Sequence, residues 1–368
     1  MKVLHLISGA DRGGAMTHVL SLLGELNNGP DVRLLCLGDG PLARRAAEMG
    51  LPHTVLPRRF SAGLAGVRGA AKESGAEVLH CHGSRANLTG ALLKRELGIP
   101  VISTVHSDHT LDYLGRPMAR LTYGALNARA LRRMDALVCV SEAMAETYRG
   151  RGFPNVYAIR NGADFAAPRR EIPREERSAV LGLPVSAEDI LVGAAARLDP
   201  VKDLPTLLRG FAGCRTAVPL KLVIAGTGPE EKKLRSLAET LAVSDRVFFP
   251  GWVEDMESFY ACLDVAALTS RSETSPYALT MAARYGLPVI ATAVGGVPEL
   301  VEDGANGRLI SPGDAEAFSR ALADLAKDEA LRRRMGAALR DRGERDFSLT
   351  AMGERQREIY RDILQNRG

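Results

Sequence analysis

Two cations, Arg197 and Lys202, stand in one short loop, Ala196-Arg197-Leu198-Asp199-Pro200-Val201-Lys202-Asp203, directly after the apolar run Ile190–Ala195. A guanidinium supplies a planar fork and an ammonium a point charge, a pairing suited to a diphosphate whose charge grows as it leaves. A merely solvated Arg and Lys would be the plain alternative, and the place of Arg197 at the end of an apolar strand argues against it. Farther on, Ser272-Glu273-Thr274-Ser275-Pro276-Tyr277-Ala278-Leu279-Thr280 leads into a helical stretch with Pro276 near its first turn, where proline is favoured. Unsatisfied N–H groups at such a helix start suit a phosphate.

Nearer the N-terminus, Gly13 and Gly14 sit where a helix is about to follow the first strand. Glycine lets backbone N–H groups approach an anion or a sugar, although Gly pairs also serve as simple strand-to-helix turns, and the spacing here is not that of the dinucleotide fingerprint. All seven histidines lie at or before residue 109, with His80, His82, His106 and His109 at or just beyond strand ends. His80-Cys81-His82 puts two imidazoles on one strand face, but no carboxylate or second Cys pair accompanies them, so the expected reading is polar residues lining a cleft and no metal site. His106 is the stronger candidate, since a neutral imidazole there can hydrogen-bond a substrate hydroxyl.

These loops must be held by strands and helices. Apolar β-rich runs recur at Val3–Ile7, Val32–Leu37, Val78–His82, Val101–Val105, Ala136–Val140 and Val156–Arg160, separated by helical stretches. A second series follows at Ile190–Ala195, Leu220–Ala225, Val247–Phe249, Val265–Leu268, Pro288–Thr292 and Gly307–Ile310. Alternation of this kind predicts α/β architecture with parallel sheets, repeated in two domains. The expected boundaries are an N-terminal domain over 1–165, a linker over 166–180 and a C-terminal domain over 181–348, with a last helix over 349–368. The segment from Ala166 to Arg177 is charged, broken by Pro168 and Pro173 and nearly free of large apolar residues, which is the composition of a linker. In open α/β sheets a ligand binds outside the carboxyl ends of the strands, which is where the loops above fall.

The 368 residues exceed what one hydrophobic core usually serves, which also favours two domains. A net charge of +4 is too mild to indicate nucleic acid, and suits an anionic ligand or an anionic membrane surface. Five cysteines, Cys36, Cys81, Cys139, Cys214 and Cys262, mostly in strand-like runs, read as buried thiols of a reducing cytoplasm. The apolar N-terminal run is too short for a signal peptide or a membrane span. Arg116, Arg120, Arg129, Arg132 and Arg133 among apolar residues between 116 and 133 could form a helix facing a membrane, although a solvated helix face is the commoner meaning.

Taken together, Gly13-Gly14, His106, Val140-Ser141-Glu142, Arg160-Asn161-Gly162-Ala163-Asp164, Arg197-Leu198 with Lys202, Ala225-Gly226-Thr227-Gly228-Pro229, Gly251-Trp252, Ser272-Glu273, Gly286-Leu287-Pro288-Val289 and Val294-Gly295-Gly296-Val297-Pro298-Glu299 resemble glycosyltransferase family 4, retaining transferases of GT-B architecture. The likeness runs over nearly the whole chain. It implies two Rossmann-like, doubly wound domains facing across a cleft, the first binding the acceptor and the second a UDP-, GDP- or ADP-sugar, with the last helix packing back on the first domain. It implies that Arg197 and Lys202 neutralise the diphosphate, that Gly13 and Gly14 approach it by backbone, and that His106 touches the sugar. Glu273 would bind sugar hydroxyls, Gly251 and Trp252 would lie at the base, and Gly226 together with Ser275, Tyr277, Ala278, Leu279, Thr280 and Met281 would complete the donor site. The acceptor would be a hydroxyl of a glycan, a lipid or a small molecule, reached by front-face attack. The place implied is the cytoplasm or the inner face of its membrane. No cofactor and no metal are expected, and no Asp-x-Asp motif occurs in the chain.

Position 281 departs from the resemblance. The family carries a second glutamate there, binding ribose hydroxyls, whereas this chain has Met281 and no other Asp or Glu between Glu273 and Glu299. Thr274 also stands where the family has glycine. Loss of a charged hydrogen bond to ribose would weaken donor binding by about 1.5–3 kcal/mol. Two further functions are therefore carried: a non-catalytic GT-B protein binding a glycan or a partner, and a sugar-nucleotide epimerase on the same fold.

Overall fold

The computed structural model describes residues 1–11, 13–27, 31–108 and 124–366. The chain divides into two compact units, Met1–Gly162 with Leu349–Gly368, and Ala163–Ser348.

The first unit carries β1 (Lys2–Ile7), β2 (Asp31–Leu37), β3 (His53–Leu56), β4 (Val78–His82), β5 (Val101–Val105), β6 (Ala136–Cys139) and β7 (Val156–Ala158). They form one sheet in the order β3-β2-β1-β4-β5-β6-β7, every pair parallel. Their near-continuous Val, Leu and Ile content follows from burial on both faces, since helices cover the two sides of a parallel sheet. β3 has no counterpart among the expected strands. It is a four-residue edge strand between Pro52 and Pro57 with two exposed side chains, too short and too polar to stand out in the sequence.

The C-terminal helix Leu349–Gln365 belongs to this unit. Met352, Ile359, Tyr360 and Ile363 recur at helical spacing and join Val19, Leu22, Leu23 and Leu26 of the helix Gly14–Leu26 in one buried cluster.

The second unit carries β8 (Ile190–Ala195), β9 (Leu220–Ala225), β10 (Val247–Gly251), β11 (Val265–Leu268), β12 (Val289–Thr292) and β13 (Gly307–Ile310) in the order β10-β9-β8-β11-β12-β13. Each sheet is thus wound outward from a central pair, β1 with β4 and β8 with β11, which is the Rossmann-like, doubly wound arrangement.

The expected linker needs correction. Residues 166–180 lie within the second unit, and the change of unit falls earlier, at Gly162 and Ala163. Three of the four arginines that gave this segment its linker composition are spent on carboxylates. Arg170 pairs with Asp255 at 2.5 Å, Arg174 pairs with Asp264, and the buried Arg177 reaches the other oxygen of Asp264 at 2.8 Å. Composition does not reveal such partners, because Asp255 and Asp264 come from distant sequence.

Cys36, Cys81, Cys139 and Cys262 are buried thiols and Cys214 is half-buried; burial raises the pKa of the first four, pushing Cys36 and Cys139 up to about 12. Among the described residues no helix is long and apolar enough to cross a membrane. Arg129, Arg132 and Arg133 are exposed at or beyond the end of the helix Ala125–Leu131, and the Arg132 guanidinium lies 5.0 Å above the Phe153 ring. Arg116, Arg120 and His109 lie outside the described residues.

Candidate active site

In the second unit the topology itself assembles the predicted cations and carboxylate. β8 and β11 are adjacent and parallel, with Val192 opposite Val265 and Gly193 opposite Ala266. Their following loops therefore leave the same sheet edge side by side, at the point where winding reverses. The β8 loop brings Lys202 and the β11 loop brings Glu273, and Lys202 Nζ donates to Glu273 Oε1 at 2.7 Å. Glu273 is nearly buried, its side chain 8% exposed, while Lys202 keeps 26%. Ser270 Oγ donates to the same Oε1 at 2.5 Å, so the carboxylate is oriented from two sides.

The loop backbones are tied as well. Thr269 Oγ1, just past β11, lies 3.2 Å from both the Lys202 and Asp203 carbonyl oxygens. Asp199 accepts from Val201 N–H at 3.1 Å and pairs with Arg197. Arg197 is otherwise turned to solvent, 76% of its side chain exposed. The site thus holds one cation locked to a carboxylate and one cation projecting outward.

Glycines let these loops approach. Gly226 has φ 135° and a Cβ there would sit 1.9 Å from the Ala196 carbonyl oxygen, beside Arg197. It is a packing glycine supporting the cation loop. Gly295 has φ 51° and a Cβ would meet the Glu273 carbonyl oxygen at 1.7 Å. Gly295→Ala is expected to displace the Glu273 backbone, lowering the urea midpoint of the second unit and removing transfer activity together, by about 2 kcal/mol or more in stability. Retained activity with unchanged stability would show that the loop carries no such constraint.

The helix expected at the phosphate runs Tyr277–Arg284, with Pro276 at its N-cap and no side-chain cap. Uncapped N–H groups at its first turn suit an anion. Leu279 N–H, however, already donates to the Pro276 carbonyl at 3.0 Å, which places any anion contact earlier in the turn, near Tyr277 and Ala278. Thr280 is buried and its hydroxyl donates to the Tyr277 carbonyl at 3.1 Å. Ser275 is half-buried. The Tyr277 hydroxyl is buried without a hydrogen-bond partner among the described residues, and burial raises its pKa. Met281 is half-buried and packs on the apolar cluster that includes Leu279, Ala282 and Ala283. Gly251 has φ 79° with open space at its Cβ position, and Trp252 is 73% exposed. An indole this bare is available to stack on a planar base.

In the first unit, Gly13 is the N-cap of the helix Gly14–Leu26, with φ 71°, no side-chain cap and nothing within 4 Å of a Cβ. His106 follows β5 and is half-buried. The other strand-end histidines do not line a cleft. His5, His18, His80 and His82 are wholly interior, at 0–1% exposure; His5, His80 and His82 join His106 in one polar network, and the His18 ring lies 4.8 Å from that of His106. His5 Nδ1 lies 3.0 Å from His82 Nε2, and His82 Nδ1 lies 3.2 Å from His106 Nε2. Tyr360 Oη, from the C-terminal helix, is 2.9 Å from His5 Nε2 and 2.7 Å from His80 Nδ1. His80 Nε2 is 2.7 Å from Thr104 Oγ1. Burial lowers the proton affinity of these five rings, His5 to about 3 and His18 to about 4; repulsion from neighbouring rings adds to it at His5, His80, His82 and His106, while the Asn161 hydrogen bond opposes it at His18. The nitrogens of His5, His80 and His82 are close enough to hold a cation, yet each of the six is already taken within this network. Sequence reading missed the network because its members come from β1, β4, β5 and the last helix.

The family described as Glycosyltransferase Family 4 matches residues 12–167, and that described as Glycosyl transferases group 1 matches residues 179–342. The chain is 30% identical to the lipopolysaccharide core biosynthesis glycosyltransferase LpsE of Rhizobium meliloti, over 68% of this chain and 67% of that protein. It is 27% identical to the alpha-maltose-1-phosphate synthase of Mycolicibacterium smegmatis, over 95% and 96% of the two chains. Among solved structures, Anabaena HepE in complex with UDP superposes with a TM-score of 0.85 at 22% identity, covering 98% of this chain and all of that one. HepE has also been solved with UDP-glucose. With two doubly wound sheets, a switch-point loop pair carrying Lys202 and Glu273, and these matches, the chain belongs to glycosyltransferase family 4, the GT-B enzymes that transfer a sugar from a nucleotide sugar.

Proposed function

We propose that this enzyme is a retaining transferase that takes a UDP-sugar, with UDP-glucose the first to try, and delivers the sugar to a hydroxyl of a glycan or related acceptor without a metal ion. The observation that carries this reading is the Lys202–Glu273 pair at the switch point with Arg197 exposed beside it. Arg197 and Lys202 offset the charge that grows on the departing diphosphate, the role a divalent ion would otherwise fill. Lys202 and Ser270 both hold Glu273 Oε1, leaving Oε2 to accept from a hydroxyl of the donor sugar. The uncapped turn at Tyr277 and Ala278 adds backbone donors to the phosphates, and Trp252 offers its face to the uracil. His106 is assigned to the sugar. In front-face transfer the leaving phosphate oxygen takes the acceptor proton, so the chain supplies position and charge, with no base of its own. The UDP preference rests on the UDP and UDP-glucose complexes of HepE.

UDP release from UDP-glucose in the presence of EDTA, followed by proton NMR of the product anomer, tests the reading. An α-linked product formed equally well with chelator supports it; a β-linked product, or activity restored only by added metal, defeats it.

Met281 gives a second test on the same site. Met281→Glu restores a carboxylate on the helix face reserved for ribose and should lower the UDP dissociation constant about tenfold in calorimetry, while leaving inorganic pyrophosphate binding alone. Unchanged UDP affinity would mean that the ribose is held from elsewhere.

A further inference from the structure

The buried histidines have an order as well as a location. Thr104 Oγ1, His80, Tyr360 Oη, His5, His82 and His106 follow one another through five contacts of 2.7, 2.7, 2.9, 3.0 and 3.2 Å. A neutral imidazole has one N–H and one lone pair, and a hydroxyl has one proton to give. Once one contact has a direction, each imidazole must follow it, and the buried Tyr360 could break the sense only by accepting from both neighbours and leaving its own O–H with nothing to donate to, so two continuous senses remain. In one, Thr104 donates to His80 and donation passes through Tyr360, His5 and His82 onto His106 Nε2. In the other, every contact reverses and Thr104 becomes an acceptor. Thr104 is 1% exposed, and among the described residues its hydroxyl has His80 as its sole hydrogen-bond partner. The reversed sense would therefore leave a buried O–H with nothing to donate to, which lowers its population roughly tenfold or more. The first sense leaves no proton without an acceptor between Thr104 and His106.

We propose that Thr104, His80, Tyr360, His5 and His82 form a hydrogen-bond chain of fixed sense ending on His106 Nε2, which holds His106 with its proton on Nδ1, as a donor and not as a base. Thr104, Tyr360 and His82 are then positioning residues. The chain carries no through-flow of protons, because its far end is a buried threonine hydroxyl with no proton source. His18 agrees with the pattern: its Nδ1 lies 2.8 Å from Asn161 Oδ1, an acceptor, and its Nε2 is buried without a partner among the described residues, as a lone pair tolerates better than an N–H does. The lowered proton affinity of every ring supports the neutral state the chain requires.

The test is long-range proton–nitrogen NMR on the full-length protein labelled with 15N-histidine, near neutral pH. His5, His80, His82 and His106 should each show a protonated Nδ1 and an unprotonated Nε2, with couplings across the hydrogen bonds joining His5 to His82 and His82 to His106. An Nε2 proton on any of the four, an imidazolium among them, or one equivalent of zinc retained on His5, His80 and His82 would overturn the proposal. Two variants add a kinetic arm, which rests on the assignment of His106 to the sugar. His82→Leu removes the donor to His106 and should let its proton redistribute, with kcat for UDP release about tenfold lower. His82→Gln retains an amide donor and should hold both the Nδ1 proton and kcat to within about threefold. The predicted NMR pattern with equal rates in the two variants would remove His106 from the sugar and leave the chain standing.

Discussion

Acid should unfold the first unit and spare the second. His5, His18, His80 and His82 are neutral in the folded interior, with proton affinities lowered by burial, to about 3 for His5 and about 4 for His18. In the unfolded chain each binds its proton near the ordinary histidine value of about 6.5. As pH falls, the unfolded state gains protons first, so stability is fully present above about 6.5 and is lost between there and the lowered values. From about pH 7 to about pH 5.5 each ring forfeits about 1.2 kcal/mol, or about 5 kcal/mol for the four, which is comparable to the whole stability of a small domain. The second unit contains no histidine. Urea titration followed by hydrogen exchange of peptides from each unit should show the midpoint of the first falling steeply over this range and that of the second nearly constant. Parallel declines would mean that the four rings are already charged, or solvated, in the folded state.

Arg197 and Lys202 should separate in their effects although both serve the diphosphate in the proposed reaction. Arg197 is largely solvated and among the described residues its one ion-pair partner is Asp199 in its own loop, so Arg197→Ala should leave the thermal midpoint unchanged. If Arg197 serves the leaving diphosphate as proposed, its loss should lower kcat/KM roughly a hundred- to a thousandfold. Lys202→Met costs activity and stability together. Glu273, 8% exposed, would be left as an uncompensated interior carboxylate, at about 3 kcal/mol of the second unit's stability. A Lys202→Met, Glu273→Gln double variant should recover most of that stability and none of the activity, as scanning calorimetry beside a UDP-release assay would show. An Arg197→Ala enzyme that transfers at the normal rate would exclude Arg197 from the phosphate site.

Much of this was legible from local pattern. Apolar runs such as Val78–His82 and Leu220–Ala225 are strands as expected, because burial on both faces of a parallel sheet demands continuous apolar sequence. The loops carrying Arg197, Lys202 and Glu273 were legible as candidates because ligands gather at the carboxyl ends of such strands, and the structure sets them side by side after β8 and β11. β3 was missed, since four residues on a sheet edge leave no pattern to detect. The stretch from Ala166 to Arg177 was misread, because charge and proline look the same in a linker and in a segment pinned by Asp255 and Asp264.

The sequence by itself determined the class of architecture, the switch-point residue types, the family resemblance and the absence of a glutamate at position 281, all properties of neighbouring residues or of their order. Tertiary structure alone decided which groups meet. Lys202 reaches Glu273 across 71 positions of chain, and Tyr360 reaches His5 across 355. Partners so far apart are chosen by strand order and helix docking, and no local propensity encodes them. That is also why His80 and His82, which looked like cleft residues from their place at a strand end, proved to be interior: what covers a strand end is supplied by other parts of the chain, here including the helix Leu349–Gln365.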